Sequence, residues 1–97
     1  MYAVVRSYAG PGTSELFDLL ANNDHEINDL FHAIPGFVSY TAIRSGADSG
    51  TTVTLCQDKA GTDESSRIAA GWVAEHVDPK PNAPAVTEGS TALHFSA

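Results

Sequence analysis

Apolar side chains at the start of the chain follow a strand pattern and then a helical one. Residues Tyr2–Ala9 are rich in aromatic and branched side chains and end at the breaker Gly10-Pro11-Gly12, which predicts a first strand. Beyond it, apolar residues recur at three- and four-residue spacing over about 20 residues. This spacing predicts a long helix, capped by Thr13 or Ser14, that bends or restarts at Asn22-Asn23-Asp24.

Pro35-Gly36 ends this helix, because proline restrains the residue before it and glycine supplies the turn. Two further strands are predicted at residues 37–44 and 51–57, joined by a hairpin loop at 45–50. In the second strand the alternation places Val38, Tyr40, Ala42 and Arg44 on one face and Phe37, Ser39, Thr41 and Ile43 on the other. In the third strand it separates Val53 and Leu55 from Thr52, Thr54 and Cys56.

A second helix is predicted after residue 58, with Asp58 or Thr62 as its cap. Its inward stripe, at three- and four-residue spacing, consists of Ile68, Ala69, Trp72, Val73 and His76. The proline-rich segment 78–84 cannot continue a helix and predicts an extended connection. The last strand is expected at 86–95, with a bulge or bend at Gly89-Ser90.

The element order β-α-β-β-α-β predicts an α+β fold of the ferredoxin-like class in a single domain, residues 1–97. In this fold a four-stranded antiparallel sheet carries both helices on one face. Because both faces of the first two strands hold apolar or aromatic groups, the uncovered face would leave an apolar patch in water. A second copy would cover it, so we expect a homodimer that pairs through its sheet faces.

The charge balance limits the kinds of partner. Asp and Glu number 12 against 5 Lys and Arg, a net charge of -7, and no segment gathers basic residues. Nucleic acid and anionic membranes would be repelled, which leaves another protein or a small neutral or cationic molecule as partner. Cys56 is the single cysteine, so no disulfide framework is expected. The sequence shows neither a secretion signal nor a membrane-spanning stretch, and we expect a cytoplasmic protein.

Two residues of the second helix are candidates for chemistry. Trp72 could stack on a flat substrate, or it could simply be the largest core residue of that helix. His76, one turn further on, could act as a base or hydrogen-bond donor near neutral pH, or could satisfy the carbonyl end of the helix as an imidazolium.

Two arginines on strands form a second set of candidates. Arg6 lies beside Tyr8 and Arg44 beside Tyr40 on the same strand faces. Such a pair can hold a carboxylate or phenolate and stabilise developing negative charge. The alternatives are an ion pair with Glu88 or a contact across the dimer. His94, on the predicted last strand, could join either cluster.

Metal and covalent chemistry find little support. His25 and His32 are seven residues apart on one helix face, about 10.5 Å along the axis, which is too far to share a metal ion. No Cys-His-Asn or Ser-His-Asp spacing is present, and Cys56 is typical of a small buried strand residue. We therefore expect neither a metal nor a covalent intermediate.

The sequence resembles a known family through Ile34-Pro35-Gly36-Phe37, followed by Val53, Leu55 and Trp72. These residues, with the element order, resemble the antibiotic biosynthesis monooxygenase-like domain of the dimeric α+β barrel superfamily over nearly the whole chain. The resemblance implies a homodimeric barrel and oxygenation of an aromatic or polyketide-like substrate without a cofactor, in a pocket between the sheet and the helices.

Under this hypothesis the candidates take separate roles. His76 and Arg6 would be catalytic, His76 deprotonating or positioning a phenolic hydroxyl and Arg6 holding the anion. The substrate-binding residues would be Trp72, Tyr40, Arg44 and His94. A non-catalytic dimeric module that binds an apolar metabolite, or an isomerase or cyclase on the same scaffold, are the alternatives that the residues leave open.

Overall fold

Four strands and three helices make up the chain in a computed structural model that describes residues 1–97. They are β1 (Tyr2–Ala9), α1 (Thr13–Asn22), α2 (Asp24–His32), β2 (Phe37–Gly46), β3 (Ser49–Cys56), α3 (Lys59–His76) and β4 (Ala85–Ser90). The strands form one antiparallel sheet in the order β2-β3-β1-β4. This order confirms the predicted ferredoxin-like α+β fold. No helix is both long enough and apolar enough to cross a membrane.

The predicted first helix is two helices that meet at Asn23. The Asn23 side chain donates to the Leu19 carbonyl oxygen at 2.8 Å, and Asp24 Oδ1 accepts from the His25 amide at 2.9 Å. Such local side-chain bonds compete with helical ones, which is why the predicted restart occurs here. Asn23 occupies the cap position of α2, and Asp24 is the first residue of that helix.

A one-residue irregularity at the start of β2 changes which side chains face the helices. The pairing of β2 with β3 shifts between Phe37 and Ser39, so Val38 is the extra residue of a β-bulge. Phe37 and Tyr40 consequently lie on the same side, where both pack against Phe31 at ring-centroid distances of 5.9 and 4.3 Å. The predicted placement of Phe37 opposite Tyr40 is therefore wrong, because strict alternation does not survive a bulge.

The core lies between the helices and one face of the sheet. Its buried members are Tyr8, Leu16, Phe17, Ile27, Phe31, Ile34, Cys56, Trp72 and Val77. On β3 the buried face consists of short side chains, Gly50, Thr52, Thr54 and Cys56. The predicted alternation separated the last three from Val53 and Leu55 but did not decide which face is buried. Short side chains there let α3 approach the sheet closely: a Cβ built on Gly61 would lie 2.7 Å from the Cβ of Cys56.

The amino end of α3 is fixed by Asp58. Its side chain accepts a hydrogen bond from the Gly61 amide at 3.1 Å, which confirms the predicted cap. Thr62 and Ser65, in the first two turns, are buried against the sheet. The helix therefore starts at a defined point, and the side chains along its inner face are held in register with the strands.

The last strand is shorter than predicted. β4 pairs with β1 without interruption from Ala85 to Ser90, so the predicted bulge at Gly89-Ser90 is absent. Thr91 makes one further backbone bond, to the Met1 carbonyl oxygen at 2.9 Å. Because β1 begins at Tyr2, it offers no backbone partner to the residues that follow. The prediction of a strand to Phe95 is therefore wrong, and Phe95 is 84% exposed.

Candidate functional site

Two sizeable cavities and one small void border the core. The first, here called the Arg6 cavity, has a volume of about 370 Å³ and lies between α3, the β1–β4 edge and segment 80–84. It is lined by Arg6, Tyr8, Ser66, Ala69, Ala70, Val73, Ala74, Lys80, Pro81, Asn82, Ala83, Pro84 and Val86. The second, the α2–β2 cavity, measures about 570 Å³ and includes Tyr40 and Arg44. The void beside Trp72 is only about 20 Å³.

Arg6 is the most deeply buried cation of the protein, with 4% of its surface exposed. Its Nη1 donates to Thr54 Oγ1 at 3.2 Å, and its Nη2 donates to the hydroxyls of Ser65 and Ser66 at 3.0 and 2.8 Å. No carboxylate forms an ion pair with it, and the alternative of a pair with Glu88 is not realised. All the side chains that bind this guanidinium are neutral.

The charge of Arg6 is only weakly balanced by its surroundings. Burial lowers the pKa of Arg6, and Tyr8, Tyr40 and Glu88 oppose that shift. Burial also raises the pKa of Tyr8, which keeps this phenol neutral, although Arg6 opposes the shift. Arginine remains protonated in proteins, so the site holds a positive charge among neutral hydroxyls. A buried charge without a partner is costly, and an anion entering the cavity would relieve that cost.

The strand alternation and one helix turn bring this arrangement about. In β1 the residues Val4, Arg6 and Tyr8 are the buried set, so Arg6 points to the helix side from a strand with neighbours on both edges. Ser65 and Ser66 reach it from the second turn of α3. Sequence reasoning missed these serines, although a signal was present: Thr62, Ser65 and Ala69 extend the inward stripe of α3 at helical spacing.

Trp72 and His76 form a pair away from Arg6. Trp72 is buried, and its Nε1 has no hydrogen-bond partner. His76 stacks on the indole at a centroid distance of 4.5 Å, donates from Nδ1 to the Trp72 carbonyl oxygen at 2.9 Å, and lies 4.0 Å from Glu26. Neither residue lines the Arg6 cavity. Ser66, which binds Arg6, precedes His76 by about 15 Å along the helix axis.

The remaining predicted site residues are also dispersed. Arg44 pairs with Asp18 at 2.7 Å and lies 5.9 Å from the centre of the Phe17 ring. Burial, with a smaller contribution from Tyr8, raises the pKa of Tyr40 to about 12. His94 belongs to the exposed tail beyond β4 and lines none of the three spaces described above. The structure thus joins Tyr40 with Arg44 in one cavity, places Arg6 in another, and leaves His94 apart from both.

Comparisons with solved structures identify the fold. A monooxygenase from the gene ActVA-Orf6 of Streptomyces coelicolor, in complex with nanaomycin D, superposes with a TM-score of 0.71 at 11% identity, covering 99% of this chain and 91% of that one. SnoaB, a cofactor-independent oxygenase from Streptomyces nogalater, gives 0.61 at 16% identity, covering 97% and 94%. The heme-degrader MhuD of Mycobacterium tuberculosis, with two hemes in its active site, gives 0.65 at 17% identity, covering 98% of both chains.

Identities this low establish a shared fold and leave the activity open. No family model matches the sequence, and no curated protein is significantly similar to it. The correspondence nevertheless extends over nearly every residue of each chain, including all four strands of the sheet. The chain therefore has the fold of these monooxygenases and of the heme-degrader.

Proposed function

We propose that the protein is a small-molecule oxygenase that holds its substrate as an anion at Arg6. The observation that carries the proposal is a guanidinium that is 4% exposed, has only neutral partners and borders a cavity of about 370 Å³. The cavity is large enough for a small organic molecule, and its walls are mainly apolar. The oxygenases that share the fold supply the reaction type.

A cationic site suits oxygenation in which the substrate provides the electrons. A phenol or enol bound at Arg6 ionises more readily, because the nearby positive charge favours its anion. The electron-rich ring carbon of that anion then forms a bond to molecular oxygen. Loss of water completes the change from a ring CH₂ to a C=O group, so that one oxygen atom enters the product and the other leaves as water. Arg6 would stabilise the negative charge throughout.

Water at the exposed rim near Lys80 and Asn82 would accept the proton of the substrate, because neither of these side chains is a base. We assign the anion to Arg6 and assign no proton to His76, since His76 lies along α3 away from the cavity. The sequence prediction that His76 acts as a base remains a prediction. Trp72 in turn would contribute by supporting the helix wall of the cavity from within the core.

Oxygen uptake with an anthrone, whose enol tautomer is a polycyclic phenol, tests the proposal. Arg6→Met keeps the length of the side chain and removes its charge. Loss of one preorganised donor to a developing oxyanion costs about 10²–10³ in kcat, so we expect kcat of Arg6→Met to fall by about that factor. Arg67→Met is the matched control, because Arg67 is exposed, pairs with Glu64 and lines neither cavity. Turnover that is equal in Arg6→Met and the wild-type protein would refute the role of Arg6.

A non-catalytic binding module is the second candidate, and one observation favours it. None of the residues that line the Arg6 cavity is a histidine, aspartate or glutamate, the usual general bases. The same observation disfavours an isomerase or cyclase, which must shuttle protons. The protein would be a binding module if the bound phenol is recovered unchanged after incubation in air and if Arg6→Met no longer binds the phenol.

Pairing of two copies through the open sheet face forms part of the proposal. That face carries Val5, Val53, Leu55 and Ile43, and Ile43 is 48% exposed. Burial of such a patch favours association. Sedimentation should show a dimer, and Val53→Lys should shift it to a monomer. A wild-type monomer at high concentration would remove this part of the proposal without affecting the Arg6 site.

A further inference from the structure

The α2–β2 cavity is a separate space on the far side of the core from the Arg6 cavity. It measures about 570 Å³ and opens along the edge strand β2. One wall is an aromatic cluster: Phe31 stacks on Phe37 with 9° between the ring planes, and His32 meets Phe37 edge-on at 5.1 Å. Tyr40 continues the same wall. Flat aromatic surfaces of this kind bind flat aromatic ligands well.

Two polar side chains of this cavity offer a free acceptor atom, His32 and Asp24. His32 Nδ1 lies 2.9 Å from the Asn28 carbonyl oxygen, and a carbonyl can only accept. Nδ1 therefore carries the hydrogen in the neutral ring, and Nε2 has a free lone pair. Asp24 also lines the cavity, and only one of its carboxylate oxygens is bonded, to the His25 amide. A ligand that offers N–H or O–H donors would match both groups.

The charges around the cavity also favour a ligand that donates hydrogen bonds. The one strong cation in its lining, Arg44, is already paired with Asp18 at 2.7 Å. Asp24 forms no ion pair, so the lining has one uncompensated negative charge. The protein as a whole carries a net charge of -7. The α2–β2 cavity thus favours a cation, whereas the Arg6 cavity favours an anion.

We propose that the α2–β2 cavity is a second ligand site, which binds an arylalkylamine, that is, a planar aromatic ring that carries a protonated aliphatic amine. The ring would stack against Phe37 and Tyr40, and the ammonium group would donate to the carboxylate oxygen of Asp24 that has no partner. Nε2 of His32 lies at the other end of α2, about 12 Å along the axis, and would accept from a separate donor of the ligand. This site does not depend on the proposed oxygenase function, since it shares no residue with the Arg6 cavity.

Two probes of equal ring size but opposite charge provide the test: 1-naphthylmethylamine and 1-naphthoate. Calorimetry gives their affinities, and the amide signals of the ¹H–¹⁵N spectrum give their positions. We expect the amine to shift the amides of Asn28, Ser39 and Tyr40. The naphthoate is expected to leave these amides unchanged and to shift those of Ser66 and Val86 beside Arg6.

Three variants sharpen the test. Asp24→Asn should weaken amine binding about two- to fivefold, the range for an exposed ion pair. Asp29→Asn is the matched control, because Asp29 lies on the same helix, is also exposed and does not line the cavity. Ala42→Phe places a ring in the cavity from an exposed position of an edge strand and should reduce amine binding at least tenfold.

Several outcomes would overturn the proposal. Equal binding of the naphthoate in this cavity would remove the argument from charge. Equal losses in Asp24→Asn and Asp29→Asn would show a general effect of net charge and no local site. Amine binding that survives Ala42→Phe, or amide shifts confined to the Arg6 region, would place the ligand elsewhere. Failure of oxygen uptake at the Arg6 site would leave each of these readings unchanged.

Discussion

The substitution Arg6→Met separates a functional arginine from a structural one. Arg6 is 4% exposed and binds three hydroxyls but no carboxylate. A buried charge without a charged partner is costly, and an apolar side chain of similar length at position 6 removes that cost. If Arg6 had a buried carboxylate partner, replacing Arg6 would instead lower the free energy of unfolding by about 3–5 kcal/mol. The stability of Arg6→Met therefore shows whether the folded state depends on the charge of Arg6.

The hydroxyls left behind set the size of the effect. Thr54 has no exposed surface, and loss of Arg6 leaves its Oγ1 without its only hydrogen bond to a side chain, at a cost of about 1–3 kcal/mol. Ser65 is less affected, since its hydroxyl still donates to the Thr62 carbonyl oxygen at 2.7 Å. The gain from removing the buried charge and the loss at Thr54 nearly cancel. We therefore expect the free energy of unfolding of Arg6→Met to lie within about 2 kcal/mol of the wild-type value.

Urea denaturation followed by tryptophan fluorescence measures this difference, because Trp72 is the single tryptophan and is buried. The double variant Arg6→Met/Thr54→Val removes the orphaned hydroxyl as well and should be about 1 kcal/mol more stable than Arg6→Met alone. A loss of 3 kcal/mol or more in Arg6→Met, on the scale of about 3–5 kcal/mol for a broken buried pair, would contradict this reasoning.

Three further predictions concern the fold. The raised pKa of Tyr40, about 12 against 10.0 for an ordinary tyrosine, keeps its phenol neutral in the native state. In the unfolded chain the Tyr40 phenol ionises at lower pH, so the free energy of unfolding should fall as pH rises from 10 to 12. The fall should be less steep in Tyr40→Phe, and equal slopes for the two proteins in alkaline urea titrations would contradict this. Asp58→Ala removes the cap of α3 and should lower the free energy of unfolding by about 1 kcal/mol, whereas an unchanged urea midpoint would show that the bond to Gly61 contributes nothing. Gly50→Ala would bring a Cβ to 2.4 Å from the Phe17 ring and should cost about 1–3 kcal/mol by overpacking, and Gly50→Ala with Phe17→Leu should recover part of that loss in thermal melts.

Local patterns were sufficient for most of the fold. Alternation in β1 and β3 separated the two faces of each strand without deciding which one is buried, and the Asn-rich interruption marked the junction of α1 with α2. The bulge at Val38 escaped, because it arises where β2 first meets its neighbour and leaves no period in the sequence. The end of β4 escaped for a similar reason: the length of β1 decides it, and no residue after Ser90 breaks the strand pattern.

The candidate site was less accessible to sequence reasoning. Arg6 was recognised as a possible anion holder from its position beside Tyr8 on β1. Its separation from His76 could not be foreseen, since both residues lie on stripes that face the same core. Only the pairing of β1 with β3 and the approach of α3 place Arg6 beside Ser66, two helical turns before Trp72. Distances between elements, unlike the face on which a residue lies, require the assembled fold.

The wall that α3 presents to the Arg6 cavity consists largely of alanines, at positions 69, 70 and 74. The helix that carries them is fixed at its other end, where Asp58 caps it and Gly61 lies against Cys56. The space beside Arg6 can therefore be enlarged or narrowed one methyl group at a time while the scaffold keeps its geometry. Descendants of this chain could change the size of the molecule they accept by mutation at these alanines alone, without giving up the buried charge that holds it.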